Sequence, residues 1–392
     1  MKTNVLYIGS SNIANFSQNS NAYQQPYNLC ANTNCYMIVP QGVTVPDSIK
    51  SSCQGIAEIA VSRYNLLLGR YPSSLKNLLK ARAFSPDIII SDFNDWSVEI
   101  AAYLKRTLKK PWFVILWDPP FGNRYEVKQG LIYKVEHAIR LILYNQTIKS
   151  ADRCFCFINQ GVLKSERLTF RRVTQLVNGV DASLIAQIKA KQITKKSLSI
   201  CVIGRVRKDK GSLQIIRAFE AIANTFPEST LTFVGPLDGD PASKQIISEA
   251  IKNSGVQNNI RITGRIPFHE AMEIVAASVI GLHAYSSAPY LYFNHVLKVG
   301  EYQALGTIPV AINYPGTSDI IKDGHNGILL TSNDPEAISE AVIDVFASDE
   351  LQKNIRSNAE NVINERPWVK VTGDMLLSIQ KDFKTTRSAY GN

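Results

Sequence analysis

With 392 residues, the chain is longer than one hydrophobic core usually supports, so two domains of about 200 residues each are expected. Apolar residues make up 45% and charged residues 19%, a balance that excludes a disordered chain, and no stretch approaches the roughly 20 apolar residues of a membrane span. The net charge of +10 is lopsided: residues 1–195 hold 24 Lys and Arg against 12 Asp and Glu, whereas residues 196–392 hold 19 against 21.

At the N-terminus, one early lysine and a four-residue apolar run from Val5 to Ile8 do not read as a leader peptide. Short apolar runs at residues 5–9, 36–39, 88–91, 113–117, 154–158 and 173–177 predict strands, and the periodicity of residues 98–108 and 131–148 predicts helices. Alternation of this kind marks a parallel sheet with helices on both faces. After Asp181 the chain turns Lys- and Gln-rich up to Lys196, where a linker is expected. A second series then begins, with strands predicted at 198–204, 231–235, 260–263, 279–282, 309–311 and 327–330. Its helices fall at 212–224, 242–254, 269–277, 296–304, 335–346 and 349–364. The last amphipathic segment, 366–383, contains Trp368 and is expected to cross back over the first domain.

The fold expected is therefore α/β, with two Rossmann-like doubly wound domains facing across a cleft: residues 1–190, residues 191–365, and a returning helix over 366–392. Ligands of open α/β sheets lie outside the carboxyl ends of the strands, so such a cleft would hold two substrates for group transfer.

The basic half points to an anionic partner, either a phospholipid surface or a lipid diphosphate, with ordinary solvated charge as the alternative. Its cations are Lys105, Arg106, Lys109, Lys110, Lys164, Arg167, Arg171 and Arg172, followed by Lys189, Lys191, Lys195 and Lys196. Nucleic acid is not expected as a partner, because these residues carry neither zinc-finger spacing nor an RNA-binding aromatic signature. Cys30, Cys35, Cys53, Cys154, Cys156 and Cys201 show no CxxC spacing and read as reduced, buried thiols. A cytoplasmic protein is expected, one that touches the inner membrane face from the side.

Two segments carry the chemistry. From Val202 to Gly211 a strand runs through a basic loop into a helix: Gly204 lets the backbone approach a ligand, and Arg205 and Lys210 reach a diphosphate. Read blandly, this is an exposed basic turn. From Asn294 to Val310, a helix would place Lys298 and Glu301 three residues apart on one face near its N-terminus. There Lys298 would favour a phosphate and Glu301 could accept two hydrogen bonds from a ribose diol; the bland alternative is a surface ion pair.

Together these segments resemble the retaining glycosyltransferases of sequence family 4, which have the GT-B fold. The likeness is carried by Gly204, Arg205, Lys210 and Gly211, and by Glu301, Ala304, Gly306 and Pro309. Asn178-Gly179-Val180-Asp181, Phe233-Val234-Gly235, Gly264, and Gly316 to Asp319 with Gly324 and Gly327 add to it. The resemblance spans residues 150–370 and implies transfer of a hexose from a nucleotide diphosphate sugar, the co-substrate, with no cofactor and no metal. It implies Arg205 and Lys210 on the donor diphosphate, Glu301 on the ribose, and residues 263–268, including Gly264, Arg265 and Ile266, at the base.

Two positions depart from the family pattern. Phe293 stands where a glutamate often contacts the transferred sugar, so Asn294 and Lys298 are expected to assume part of that role. The first loop, Gly9 to Asn15, lacks the usual glycine pair, and its Ser10, Ser11 and Asn12 are expected on the acceptor side. Asp118, in Trp117-Asp118-Pro119-Pro120, has three readings: it orients a sugar hydroxyl or the acceptor, it serves as general base in an inverting reaction, or it is an Asx-turn residue. Asp92 and Asp95 are weaker candidates of the same sort. His137, His269, His283, His295 and His325 are dispersed without metal-ligand spacing, and Asp238-Gly239-Asp240 is assigned to a turn.

Overall fold

Continuous apolar runs, in place of alternating ones, belong to strands covered on both faces, and the central strands of this protein are built that way. The computed structural model describes residues 2–9, 13, 18, 20–60, 75, 84–119, 131–285 and 291–389. The chain divides into two units, one formed by Met1–Val177 with Trp368–Asn392 and the other by Asn178–Pro367.

In the first unit, β1 (Asn4–Ile8), β2 (Asn34–Pro40), β3 (Gly55–Ile59), β4 (Ile88–Asp92), β5 (Trp112–Leu116), β6 (Arg153–Cys156) and β7 (Val173–Gln175) form a seven-stranded sheet. The order is β3-β2-β1-β4-β5-β6-β7, and every pairing is parallel. All five residues of β4 and of β5 are buried. The core gathers Leu6, Ile38, Ile89 and Val114 beneath helix Asp95–Leu108. Trp112 is wholly buried, and its indole N–H donates to Ser91 Oγ at 2.9 Å, which satisfies the one polar atom it brings inside.

Sequence periodicity missed β3 and helix Asn21–Asn32. The edge strand β3 buries only two of its five residues, and the helix is polar with Pro26 inside it, so neither carries an apolar stripe. Helix Trp368–Ala389 does return to the first unit. Trp368 packs beside Phe157 with ring centroids 6.3 Å apart, and Asp382 binds both Arg153 (2.8 Å) and Arg172 (2.9 Å).

The second unit repeats the plan with β8 (Ser199–Ile203), β9 (Thr230–Val234), β10 (Ile260–Ile262), β11 (Ile280–His283), β12 (Ile308–Ile312) and β13 (Ile328–Leu330). They form a parallel six-stranded sheet in the order β10-β9-β8-β11-β12-β13. One face is covered by helices Ser212–Thr225 and Pro335–Ala347, and the other by Phe268–Ala277 and Leu297–Ala304. The stretch read as a linker begins with a helix, Ala182–Ala190, capped by the Asp181 carboxylate on Leu184 N–H at 3.0 Å. Three of its four lysines are engaged within the unit: Lys189 pairs with Glu360, Lys191 with Glu273, and Lys195 Nζ donates to Ala276 and Ser278 carbonyls, each at 2.9 Å.

Candidate functional site

Strand β8 is hydrogen-bonded to β9 on one side and β11 on the other, so the order reverses between β8 and β11. Connections leave that point in opposite directions, and the gap they open at the carboxyl ends is where doubly wound sheets bind ligands. Two glycines keep it open to the backbone. Gly204, just after β8, has φ +123°, and a Cβ on it would lie 2.5 Å from Lys298 Nζ. A Cβ on Gly211 would lie 1.8 Å from the Ala284 carbonyl oxygen, so only glycine lets the basic loop dock on the end of β11.

That docking sets Lys210 on Tyr285, with Nζ 4.1 Å from the ring centroid. From the other direction, Lys298 in the first turn of helix Leu297–Ala304 donates to the Tyr285 hydroxyl at 2.7 Å. His283 completes the group, its ring 3.8 Å from that of Tyr285. Helix Leu297–Ala304 is fixed by Tyr302, buried against Gly281, whose hydroxyl accepts from Ile203 N–H at 3.1 Å. Glu301 follows Lys298 by one turn and is buried.

Charge is concentrated here. Burial lowers the pKa of Lys210, with Tyr285 opposing the shift and Lys298 adding to it. Burial, then the Lys298 and Lys210 ammonium groups, hold His283 well below the usual imidazole range, so it is neutral at neutral pH. Burial alone would raise Tyr285, but Lys298 and Lys210 bring its phenol below the ordinary value. Two ammonium groups sharing one aromatic ring beside a helix N-terminus have the charge and the N–H donors that an anion requires.

Before that helix, Asn294 Oδ1 is buried with no hydrogen-bond partner among the described residues. Its segment is held against the helical turn Pro315–Ser318: a Cβ on Gly316 would meet the Asn294 carbonyl at 2.2 Å, and Gly316 N–H donates to Tyr292. His295 Nε2 lies 2.7 Å from Asp319, and Asn178 Nδ2 donates to the His295 carbonyl at 2.8 Å. Phe293 stacks edge-on against Tyr292.

The other predicted residues fall as follows. Arg205 is exposed on the loop and pairs with Asp238 at 3.4 Å, whereas Lys210 and Lys298 share the Tyr285 ring. Gly264 makes the turn after β10 at φ +72°, Arg265 is exposed, and Ile266 packs against the apolar cluster that includes Met272. Asp240 caps helix Pro241–Asn253 through Ser243 N–H at 2.9 Å. In the first unit Asp92 is buried and accepts from the Tyr7 hydroxyl, a structural bond. Asp118 is exposed, and desolvation by surrounding protein raises its carboxyl to about 6. Ser10, Ser11, Asn12 and Pro120 lie outside the described residues. Lys105 pairs with Asp152, and Arg172 with Asp382, while Arg106, Lys109, Lys164, Arg167 and Arg171 are exposed.

Sequence reasoning missed Tyr285 and did not place His283. The available signal was position: His283 ends, and Tyr285 closely follows, a strand that flanks the reversal of strand order.

Two doubly wound parallel sheets in one chain, with the helix after the second returning to the first, make the GT-B architecture. Residues 185–362, less than half of the chain, match the family model of glycosyl transferases group 1. An uncharacterized glycosyltransferase of Methanocaldococcus jannaschii is 31% identical over 185 residues, 46% of this chain and 45% of that protein. The chain thus spans about half the length of this curated relative. The 2-deoxystreptamine N-acetyl-D-glucosaminyltransferase of Niallia circulans is 21% identical, over 60% of this chain and 65% of that protein. Among solved structures, Anabaena HepE in complex with UDP superposes with a TM-score of 0.72 at 15% identity, covering 97% of this chain and 100% of that one.

Proposed function

We propose that this protein is a glycosyltransferase that moves a hexose from a UDP- or GDP-linked sugar to a glycan or lipid-linked acceptor, with retention and without a metal. The observation that carries the proposal is the convergence of Lys210 and Lys298 on Tyr285 at the reversal of strand order. When the bond from the anomeric carbon to the phosphate oxygen breaks, the electron pair leaves with the nucleoside diphosphate, and fixed cations stabilise the charge that develops there. Lys210, Lys298 and Arg205 hold the diphosphate, with Gly204 allowing its close approach. Glu301 receives the ribose hydroxyls. Gly264, Arg265 and Ile266 border the base, and the unpartnered Asn294 Oδ1 receives a sugar hydroxyl. Asp118 orients the sugar or the acceptor, and Ser10, Ser11 and Asn12 stand on the acceptor side. The UDP complex of HepE supports a uridine donor.

An anionic membrane surface is the proposed setting of the acceptor. Helix Leu131–Ile148 exposes Val135, Ile139, Ile142 and Leu143 along one stripe, next to the exposed Arg167 whose carbonyl accepts from Asn145. No described helix is long and apolar enough to cross a membrane.

The test is calorimetric titration of UDP and GDP, followed by a panel of their sugars scored for slow donor hydrolysis. Micromolar binding of a diphosphate, lost in Glu301→Ala, is expected. A second reading, a sugar-nucleotide binder without turnover, is favoured by Phe293 in the place of an acid; tight binding with no hydrolysis across the panel would establish it.

A further inference from the structure

Three of the six cysteines converge in the first unit. Cys30 lies in the last turn of helix Asn21–Asn32, Cys35 in β2, and Cys53 in the turn after the helical segment Asp47–Lys50. The sulfurs of Cys30 and Cys53 are 2.9 Å apart, only about 0.9 Å beyond the length of a disulfide bond. The backbone fixes the Cys53 turn beside β2: Cys53 N–H donates to the Lys50 carbonyl, and Gln54 N–H donates to the Cys35 carbonyl at 2.8 Å. Cys30 and Cys35 are buried, whereas Cys53 is half-buried, so a small oxidant meets Cys53 first. Hydrogen bonds from Cys30 and then Cys35 hold the Cys53 thiol below the usual range, which makes it the thiolate of the group.

We propose that Cys30 and Cys53 form a reversible disulfide when the protein meets a hydroperoxide, with Cys53 as the attacking sulfur and Cys30 as the resolving one. The Cys53 thiolate attacks the terminal peroxide oxygen, the O–O bond breaks, and a sulfenic acid and hydroxide result. Cys30 sulfur then attacks the Cys53 sulfur, and its proton leaves with the displaced hydroxyl as water. The released hydroxide takes up the proton that Cys53 had lost. Two thiols are oxidised by two electrons, and one hydrogen peroxide is reduced to two waters.

The full-length reduced protein would be treated with about one equivalent of hydrogen peroxide, alkylated under denaturing conditions and digested with trypsin without reductant. Cleavage after Lys2, Lys50 and Arg63 puts Cys30 and Cys35 together in one peptide and Cys53 in the next, so the variants decide between them. The joined peptide is expected in the wild type and in Cys35→Ser, reverts with dithiothreitol, and is absent in Cys30→Ser, where Cys53 reacts with dimedone as a sulfenic acid. A joined peptide that survives Cys30→Ser but not Cys35→Ser overturns the pairing. Wild-type Cys53 recovered as a free thiol, as a sulfinic acid, or shielded until a chelator is added overturns the proposal itself.

Discussion

Replacing Lys210 with alanine separates a ligand-binding cation from a structural one. In the resting protein its Nζ sits 4.1 Å over the Tyr285 ring, a contact that contributes about 0.5–2 kcal/mol. Against this stands repulsion from Lys298, which helps lower the Lys210 pKa, so the two effects offset and the thermal midpoint is expected to change little. Bound to a diphosphate, the same ammonium makes charge-assisted hydrogen bonds of about 1.5–3 kcal/mol, and their loss weakens binding roughly 10- to 150-fold. The loss should fall on UDP and spare UMP, since the second phosphate is what the lysine reaches. Calorimetry of both nucleotides, beside a thermal melt, reads the two effects separately. The pH dependence has a definite sign: a lysine whose folded pKa is depressed gives up its proton before an ordinary lysine as pH rises. UDP affinity should therefore decline on the alkaline side in the wild type and lose that slope in Lys210→Ala. An unchanged UDP affinity with a large fall in midpoint would refute the reasoning and make Lys210 a packing residue.

Gly211→Ala combines φ +72° with a Cβ 1.8 Å from a carbonyl oxygen, so it should cost about 2 kcal/mol or more and weaken UDP binding by lifting the loop from Tyr285, measured by urea unfolding and calorimetry. Asp382→Ala leaves the guanidinium of Arg153, 10% exposed, without its carboxylate; a loss of about 3 kcal/mol is expected in denaturant titrations. Asp118→Asn tests the raised carboxyl: if the ionised form is needed, wild-type turnover falls as pH drops through about 6, and the variant loses this limb of the pH–rate profile.

Much of this organisation was legible because a doubly wound fold writes its strands as uninterrupted apolar runs. Residues 88–91 and 308–312 are buried at every position, and the runs are too short for a helix and rich in β-branched residues. Helix Leu131–Ile148 was read to the residue from its period. Helix Ala182–Ala190 was hidden by its exposed Gln187 and Lys189, which merge with the Lys- and Gln-rich run that follows, although Asp181 stood at its start as a capping residue. At the site, the spacing of Lys298 and Glu301 was readable from helical geometry, and Gly204 and Gly211 from the need for close backbone approach. The partnership of Lys210 with Tyr285 was not, because residues 75 positions apart in sequence meet only once β11 is laid beside β8.

Chain order has a practical consequence for anyone who wishes to cut or recombine this protein. The second unit is one uninterrupted stretch, and its two ends are stitched together: Val180 bridges Pro367, and Val180 N–H donates to the Arg366 carbonyl at 2.9 Å. It can be lifted out and swapped as a cassette through a single pair of adjacent junctions. The other half offers no such freedom, for a stop codon in place of residue 368 strips Trp368 and Asp382 from a domain whose remaining sequence ended 190 residues earlier.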